Sequence, residues 1–221
     1  MNLSYLEHNW HHVLHLTGEH LQLTAVALGL AMLFALPLGI VVANVRPLSL
    51  IIMLCLSVIY TIPSLALLAA LIPSLHLGKR PAIVVLALYA QLTLVRNIAA
   101  ALQSVDRATL EAARGIGMTN WQVFWKVRFP LGLPILLAGV RIALVTTIGL
   151  ATITAWVNAG GLGSLLFDGI SRNYPSQILA GAIAITALSL AFDIVLRAIE
   201  YVTPAARAQR IATARRAPAE A

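Results

Sequence analysis

Long apolar stretches separated by short polar segments make up most of this 221-residue chain. The apolar stretches cover residues 21–45, 47–78, 81–102, 132–156 and 176–198. Each has about the 20 residues that an α-helix needs to cross the hydrocarbon core of a bilayer. The pattern therefore predicts an all-α integral membrane protein with about five transmembrane helices. Pro63 is expected to kink the second of these helices.

Composition and charge agree with a membrane protein. Hydrophobic residues make up 60% of the chain and charged residues only 10%, whereas soluble domains have about 25% charged residues. The net charge of +7 comes from basic residues between the apolar stretches and in the C-terminal tail. That distribution is typical of loops facing anionic lipid. It predicts contact with membrane lipid and not with nucleic acid.

The basic residues also predict an orientation. With the N-terminus outside, three basic residues lie outside and eleven lie in cytoplasmic segments, with Arg141 embedded in the fourth stretch. The outer three are Lys79, Arg80 and Arg172. The inner eleven are Arg46, Arg96, Arg107, Arg114, Lys126, Arg128, Arg197, Arg207, Arg210, Arg215 and Arg216. The positive-inside rule therefore places the N-terminus outside and the C-terminus inside.

Three regions follow from this topology. Residues 1–20 are predicted to form an extracytoplasmic N-terminal segment, which lacks the basic start of a signal peptide. Residues 21–199 form the transmembrane domain, including a cytoplasmic loop at 103–130. Residues 200–221 form a basic cytoplasmic tail.

The cytoplasmic loop is expected to begin with a short helix. Asp106 is in position to cap it, and the helix continues through residues 111–114. Gly115 and Gly117 are expected to end it, because glycine adopts the left-handed conformation at low cost.

A second helix is expected to start at Thr119, where Gln122 completes a capping box. Pro130 is expected to stop this helix. One face is aromatic, with the i, i+3, i+4 spacing of Trp121, Phe124 and Trp125. From pattern alone, the loop is either a surface for another protein or an interfacial helix with its tryptophans in the lipid headgroups.

The spacing within this loop resembles the EAA loop of permeases from binding-protein-dependent ABC importers. That family has EAA, three residues, G, nine residues, then I-x-L-P. Here residues 111–113 read EAA, Gly117 follows at the same distance, and Val127, Phe129 and Pro130 complete the pattern. Valine and phenylalanine replace isoleucine and leucine, which keeps both positions apolar. The resemblance extends over roughly residues 17–200.

The resemblance implies a type I ABC importer fold, like that of methionine-importer permeases, in the bacterial cytoplasmic (inner) membrane. It also implies three kinds of partner: a pair of ATP-binding subunits, a second permease (identical or paralogous) and a separate substrate-binding protein. The loop is then the coupling helix that docks on the ATPase. The coupling residues carried over are Glu111, Ala112, Ala113, Arg114, Gly117, Met118 and Thr119.

No catalytic activity is expected of this chain. It lacks the phosphate-binding pattern G-x-x-x-x-G-K-[ST], so ATP and Mg²⁺ are assigned to the partner ATPase and no cofactor to this chain. An intramembrane serine protease would need a buried histidine, but the histidines lie within residues 8–20 and at 76, at or outside the outer surface. A secondary transporter, the distant alternative, usually has more spans and an internal repeat.

Three segments are similar to osmoprotectant permeases, which import glycine betaine, carnitine or choline. They are residues 61–68 (TIPSLALL), 110–119 (LEAARGIGMT) and 160–163 (GGLG). Methionine-importer permeases share the chain length, the five spans and the GGLG segment. The resemblance therefore favours a quaternary-amine osmoprotectant and keeps an amino acid as the alternative.

Candidate residues of the translocation pathway lie where the apolar stretches are interrupted. At the expected bend, Thr61 and Ser64 flank Pro63, and hydroxyls can satisfy freed backbone groups there. The bend is either near the pathway or a packing kink. At the outer end of the fourth stretch, Asn158, Gly160 and Gly161 form either a flexible segment at the pathway mouth or a plain turn.

Two aromatic residues at span ends, Tyr60 and Trp156, are candidates to contact a quaternary ammonium group. The alternative is that both belong to the aromatic belt at the membrane interface.

Two charges within the spans need an explanation, because a lone charge in a bilayer is costly. Arg141 lies about 14 Å into the fourth span and Asp193 about 8 Å into the fifth, at 1.5 Å per residue from the cytoplasmic side. Three interpretations remain open: an ion pair, Arg141 facing the pathway, or independent snorkelling of both side chains.

Overall fold

A computed structural model describes residues 4–202, and every regular element in that range is helical. The α-helices are α1 (Ser4–Asn44), α2 (Arg46–Thr61), α3 (Ser64–Leu75), α4 (Lys79–Gln103), α5 (Arg107–Gly115), α6 (Asn120–Val123), α7 (Phe129–Ala151), α8 (Gly163–Ser171) and α9 (Pro175–Val202). A π-helical turn, Phe124–Arg128, joins α6 to α7, and a 3₁₀ turn, Ile153–Val157, follows α7. Most of the predicted tail, from residue 203 onward, lies outside the described residues.

Five membrane spans fit the helices of this range. α1, α4, the continuous helix Asn120–Ala151 and α9 are each long and apolar enough to cross a bilayer. The fifth span is the pair α2 and α3, which meet at a bend of 93°. The bend lies at Pro63, which precedes α3, as the sequence predicts.

α4 is the central helix of the bundle and packs between α1 and α7. Glycines on α7 allow a close approach: a Cβ on Gly132 would lie 2.5 Å from the carbonyl oxygen of Ala101, and one on Gly139 would overlap Asn97. Small residues at such interfaces let transmembrane backbones pack closely. The backbone of α7 therefore lies directly against α4 at these two glycines.

One end of the bundle is strongly basic. Arg128 links α4 and α1 at this end. Its Nε donates to the carbonyl oxygen of Leu102 (2.8 Å) and its Nη1 to Oδ1 of Asn44 (3.0 Å). Arg46, Arg107 and Arg128 line one cavity of about 690 Å³ at this end. The clustering agrees with the orientation that the positive-inside rule predicts.

Pro130 does not stop the second helix of the loop, contrary to the sequence prediction. Asn120–Ala151 is continuous over 32 residues. An α-helical proline lacks its N–H and clashes with the carbonyl four residues earlier. Here a π turn precedes it, and the N–H of Phe129 bonds to the carbonyl of Phe124, five residues back. The wider turn accommodates the proline, so the helix runs on.

α1 includes most of the polar N-terminal segment. It spans 41 residues with a kink at Asn9, where φ is −125° and ψ is 25°. The part after the kink, residues 10–44, is about 52 Å long at 1.5 Å per residue, well beyond the thickness of the hydrocarbon core. Val13 and Leu16 from this segment are buried against Leu162 and Leu165, together with residues of α9. The N-terminal part of α1 thus packs on α8 and α9.

Candidate functional site

The first arm of the cytoplasmic loop is α5, which begins after Asp106. This residue occupies the predicted N-cap position, but its side chain makes no hydrogen bond to the helix. The expected side-chain cap is therefore absent, although the helix starts at the predicted place.

The other end of α5 explains the spacing of the EAA motif. Gly117 has a left-handed φ of 85°. Its N–H donates to the carbonyl of Arg114 (2.9 Å), and the N–H of Met118 donates to the carbonyl of Ala113 (3.2 Å). This pair of bonds is a Schellman motif. In it the left-handed residue, Gly117, lies four positions after Ala113, whose carbonyl accepts the longer-range bond. Glycine is thus needed here for its backbone conformation.

The solvent-exposed face of α5 carries both charged and very small residues. Ala113 faces the body of the protein and is 7% exposed. Glu111, Ala112, Arg114 and Gly117 are exposed. Because alanine and glycine side chains are minimal, another protein surface can approach this face of the helix closely.

The second arm begins as predicted. Oγ1 of Thr119 accepts from the N–H of Gln122 (3.3 Å), and Oε1 of Gln122 accepts from the N–H of Thr119 (2.9 Å). This reciprocal pair is a capping box and confirms the helix start. Only two residues, Gly117 and Met118, therefore separate the C-cap of α5 (Ile116) from the N-cap of α6 (Thr119).

The aromatic face of the second arm is also confirmed. The rings of Trp121 and Trp125 are 5.6 Å apart, and those of Phe124 and Trp125 are 5.2 Å apart. Trp121 is 71% exposed, whereas Phe124 packs against the main buried core of α1 and α4. Since Asn120–Ala151 is one helix, a displacement of this arm is transmitted directly to the membrane bundle.

The break between α2 and α3 is stabilised by a residue that sequence reasoning missed. The hydroxyl of Tyr89, on α4, donates to the carbonyl of Ile62. Oγ1 of Thr61 donates to the carbonyl of Val58 (2.7 Å), as expected. The hydroxyl of Ser64 makes no hydrogen bond within the described residues. The available signal was the single tyrosine of stretch 81–102, whose hydroxyl needs a hydrogen-bond partner when it lies within a membrane span.

Tyr89 also brings a second aromatic ring to the bend. Its ring centroid lies 5.5 Å from that of Tyr60, with the ring planes inclined at 46°. Both rings line a cavity of about 200 Å³. The break thus combines non-helical backbone, an aromatic pair and an open cavity at one place.

The glycine segment after α7 lies at the opposite end of the bundle from the basic cluster. Gly160 and Gly161 both have left-handed φ values, 83° and 82°. The N–H of Gly161 donates to Oε2 of Glu19 (3.0 Å). Next to it, His20 is fully buried, with Nε2 3.0 Å from the carbonyl oxygen of Ile148. The segment is thus in direct contact with α1.

The remaining candidates are in separate places. Trp156 lies in the 3₁₀ turn, exposed, and Asn158 caps that turn in the left-handed conformation. Arg141 lies on α7 and pairs with Asp193 of α9, with Nη1 3.1 Å from Oδ1. Of the three interpretations left open by the sequence, the structure shows the ion pair. Tyr60, Thr61, Pro63 and Ser64 meet at the break, apart from Trp156, Asn158 and the two glycines.

Comparison with known proteins agrees with this architecture. Residues 35–202 match the family described as binding-protein-dependent transport system inner membrane component. The chain is 37% identical over 203 residues to the glycine betaine/carnitine/choline transport system permease protein OpuCB of Bacillus subtilis, covering 91% of this chain and 94% of the relative. It is 38% identical over 205 residues to the osmoprotectant import permease protein OsmW of Salmonella typhimurium, covering 90% and 95%.

Solved structures share the fold. One is the inward-facing MetNI methionine ABC transporter, with a TM-score of 0.71 and 26% identity, covering 85% of this chain and 95% of that one. A second is an amino acid ABC transporter, with a TM-score of 0.76 and 19% identity, covering 90% and 98%. At its lower identity, the second shows the fold alone.

The family match covers residues 35–202, which include the cytoplasmic loop with its EAA spacing and every span from α2 onward. This chain belongs to the family of binding-protein-dependent transport system inner membrane components, the permease subunits of type I ABC importers.

Proposed function

We propose that this chain is the permease subunit of an ATP-driven importer that carries a quaternary ammonium osmoprotectant, such as glycine betaine, carnitine or choline. The relative named for glycine betaine, carnitine and choline transport matches 91% of the chain at 37% identity. The relative named for osmoprotectant import matches 90% at 38% identity, and both support this substrate class. ATP and Mg²⁺ are bound by a separate pair of ATP-binding subunits. A second permease, identical or paralogous, and a separate substrate-binding protein complete the transporter.

The loop from α5 to α6 is the proposed contact with the ATP-binding subunit. Its first arm exposes Glu111, Ala112 and Arg114, and its second arm is continuous with α7. When two ATP-binding subunits close, they move the two loops together, and each long helix moves with its loop as a rigid body. Such a movement opens the pathway to one side of the membrane.

The break between α2 and α3 is the proposed wall of the pathway. Tyr60 lies 14 residues from the start of α2, about 21 Å along the helix. Thr61, Ile62 and Pro63 are therefore within the hydrocarbon thickness, and all three are exposed. Non-helical backbone at this depth is tolerated only against protein or a water-filled cavity. This face therefore points to the pathway between two permeases and not to lipid.

Reconstitution of the complete transporter tests the proposal. Proteoliposomes containing both permeases, the ATP-binding subunits and the substrate-binding protein should take up labelled glycine betaine, carnitine or choline. Uptake should require ATP on the side of the membrane where the ATP-binding subunits lie. Uptake that follows an ion gradient without ATP would indicate a secondary transporter.

An amino acid is the second candidate substrate, because the MetNI structure shares the fold at 26% identity. Labelled methionine added to the same proteoliposomes distinguishes the two. Accumulation of methionine, with none of the three amines, would contradict the proposed substrate class.

A further inference from the structure

A small cavity lies where α2, α4 and α7 meet, and two tyrosine rings form part of its wall. Its volume is about 200 Å³. The lining residues are Tyr60, Tyr89, Ala90, Thr146, Thr147 and Leu150. Because the ring centroids of Tyr60 and Tyr89 are 5.5 Å apart and inclined at 46°, one small group in the cavity can contact both rings.

Three of the four hydroxyls in this lining donate hydrogen bonds within the chain, and that of Tyr60 makes none within the described residues. The hydroxyl of Tyr89 donates to the carbonyl of Ile62, which fixes its ring at the helix break. The hydroxyls of Thr146 and Thr147 donate to carbonyls one turn earlier in α7, at 2.8 and 2.6 Å. None of the six lining residues is charged. The cavity therefore presents aromatic rings, methyl groups and hydroxyl lone pairs.

This chemistry discriminates between kinds of cation. A quaternary ammonium group has no N–H to satisfy and is attracted to aromatic faces. A primary ammonium group has three N–H donors that need acceptors, and this lining offers neutral hydroxyl oxygens but no carboxylate to replace its hydration. An anion would find no positive charge and only one free donor, the hydroxyl of Tyr60, among these residues. The lining thus suits a methylated ammonium group better than the ammonium of an amino acid.

The cavity is also accessible from the proposed pathway. Tyr60 is 48% exposed and directly precedes the exposed, non-helical backbone at the break. From the other end of the bundle, Tyr89 lies ten residues into α4, about 15 Å. Depths of about 21 and 15 Å from opposite ends are compatible with one site in a core about 30 Å thick crossed by tilted helices.

We infer that Tyr60 and Tyr89 form a subsite in the membrane domain that holds the quaternary ammonium group of the substrate at the α2–α3 break. This inference rests on the proposed function and adds the location and chemistry of substrate contact in the permease. The subsite gives the permease its own selection for methylated ammonium groups, in addition to that of the substrate-binding protein.

Transport by the reconstituted complete transporter tests the subsite, with choline and glycine betaine as probes. Saturating amounts of loaded substrate-binding protein make the maximal uptake rate report on steps in the membrane domain. Tyr60→Leu and Tyr89→Leu should each lower that rate roughly tenfold, the size of one desolvated cation–π contact. Tyr60→Phe, which keeps the ring, should stay within about twofold of wild type. Phe34→Leu, an exposed aromatic residue on α1 outside this cavity, is the matched control and should transport normally.

A graded series separates cation binding from packing. Phenylalanine with one, two and three fluorines at position 60 keeps nearly the same shape and weakens the negative face of the ring stepwise. Uptake should fall with each fluorine. A flat series, or wild-type uptake by both leucine variants, would overturn the subsite. Failure of the wild-type transporter to carry either amine would instead overturn the proposed function.

Discussion

Nη1 of Arg141 lies 3.1 Å from Oδ1 of Asp193 and joins α7 to α9 within the membrane domain. The pair belongs to a larger cluster. Nε of Arg197 is 2.7 Å from the other oxygen of Asp193, and Nε of Arg141 is 3.7 Å from Oε2 of Glu200. Two positive and two negative groups therefore compensate one another, which removes most of the cost of charges at this depth.

Breaking this pair should destabilise the fold. The side chains of Arg141 and Asp193 are 19% and 22% exposed, so Arg141→Leu or Asp193→Leu leaves a partly buried charge with one of its two partners and unbalances the cluster. We expect each single variant to lower Tm and the folded yield, by less than the loss of a fully buried pair would. The double variant should recover much of the loss, since Arg197 and Glu200 remain as one charge of each sign. Tm and folded yield in detergent measure this.

Additive losses in the double variant would contradict the pair's role in stability. Normal folding of Arg141→Leu with loss of transport alone would instead favour Arg141 as a pathway residue.

The left-handed conformation of Gly117 should be required for coupling. No atom lies within 4 Å of a Cβ built at this position, so a side chain is disfavoured there by its φ of 85° and not by a clash within the chain. Asparagine tolerates this conformation better than other residues, and β-branched residues tolerate it least. ATP-dependent uptake should therefore rank glycine, then Gly117→Asn, then Gly117→Ala, then Gly117→Val. Equal uptake by the asparagine and valine variants would contradict this explanation of the EAA spacing.

Reversal of the charge at Glu111 should uncouple transport without unfolding the protein. Glu111 is exposed and has no ion pair within residues 4–202, so Glu111→Lys should change the free energy of unfolding by less than about 0.5 kcal/mol. Uptake should be abolished, because the docking surface for the ATP-binding subunit changes sign. Arg80→Glu, an exposed charge reversal at the other end of the bundle, should leave ATP hydrolysis coupled to transport. Normal uptake by Glu111→Lys would exclude this surface as the coupling contact.

Sequence reasoning succeeded where a feature depends on local spacing or on depth. The capping box of Thr119 and Gln122 is a four-residue pattern, and the left-handed Gly117 follows from its position after a helix. Depth along two consecutive antiparallel spans placed Arg141 and Asp193 within reach of each other, but it left the ion pair as one of three open interpretations. In the first two cases the interacting groups lie within a few positions of each other, at a helix end whose geometry fixes their separation.

Sequence reasoning failed where a distant or compensating element decides. Pro130 was expected to stop a helix, and the π turn that accommodates it has no sequence signature of its own. Tyr89 reaches Ile62 across 27 positions, and His20 reaches Ile148 across 128. Such contacts depend on how the helices pack against one another, which single-helix periodicity does not specify.

The contact between Glu19 and the glycine segment should stabilise the outer end of the bundle. Oε2 of Glu19 accepts from the N–H of Gly161 at 3.0 Å, and a Cβ on Gly160 would lie 2.5 Å from the same oxygen. Glu19→Ala removes the acceptor and should cost about 1 to 2 kcal/mol, the range for a partly exposed hydrogen bond to a charged group. Glu19→Gln keeps an oxygen acceptor and should lose less than half of that. Thermal unfolding and amide hydrogen exchange at residue 161 measure both effects.

Substitution of the glycine tests the same contact from the other side. Gly160→Ala has two effects. It places a side chain at a left-handed φ of 83°, and its methyl group displaces the carboxylate of Glu19. In the wild-type background, the strain of about 1 to 2 kcal/mol and the lost hydrogen bond should add. In the Glu19→Ala background only the strain remains, so Gly160→Ala should cost less there. Equal costs in the two backgrounds would mean that Glu19 does not hold the segment, and its hydrogen bond would then be without consequence for stability.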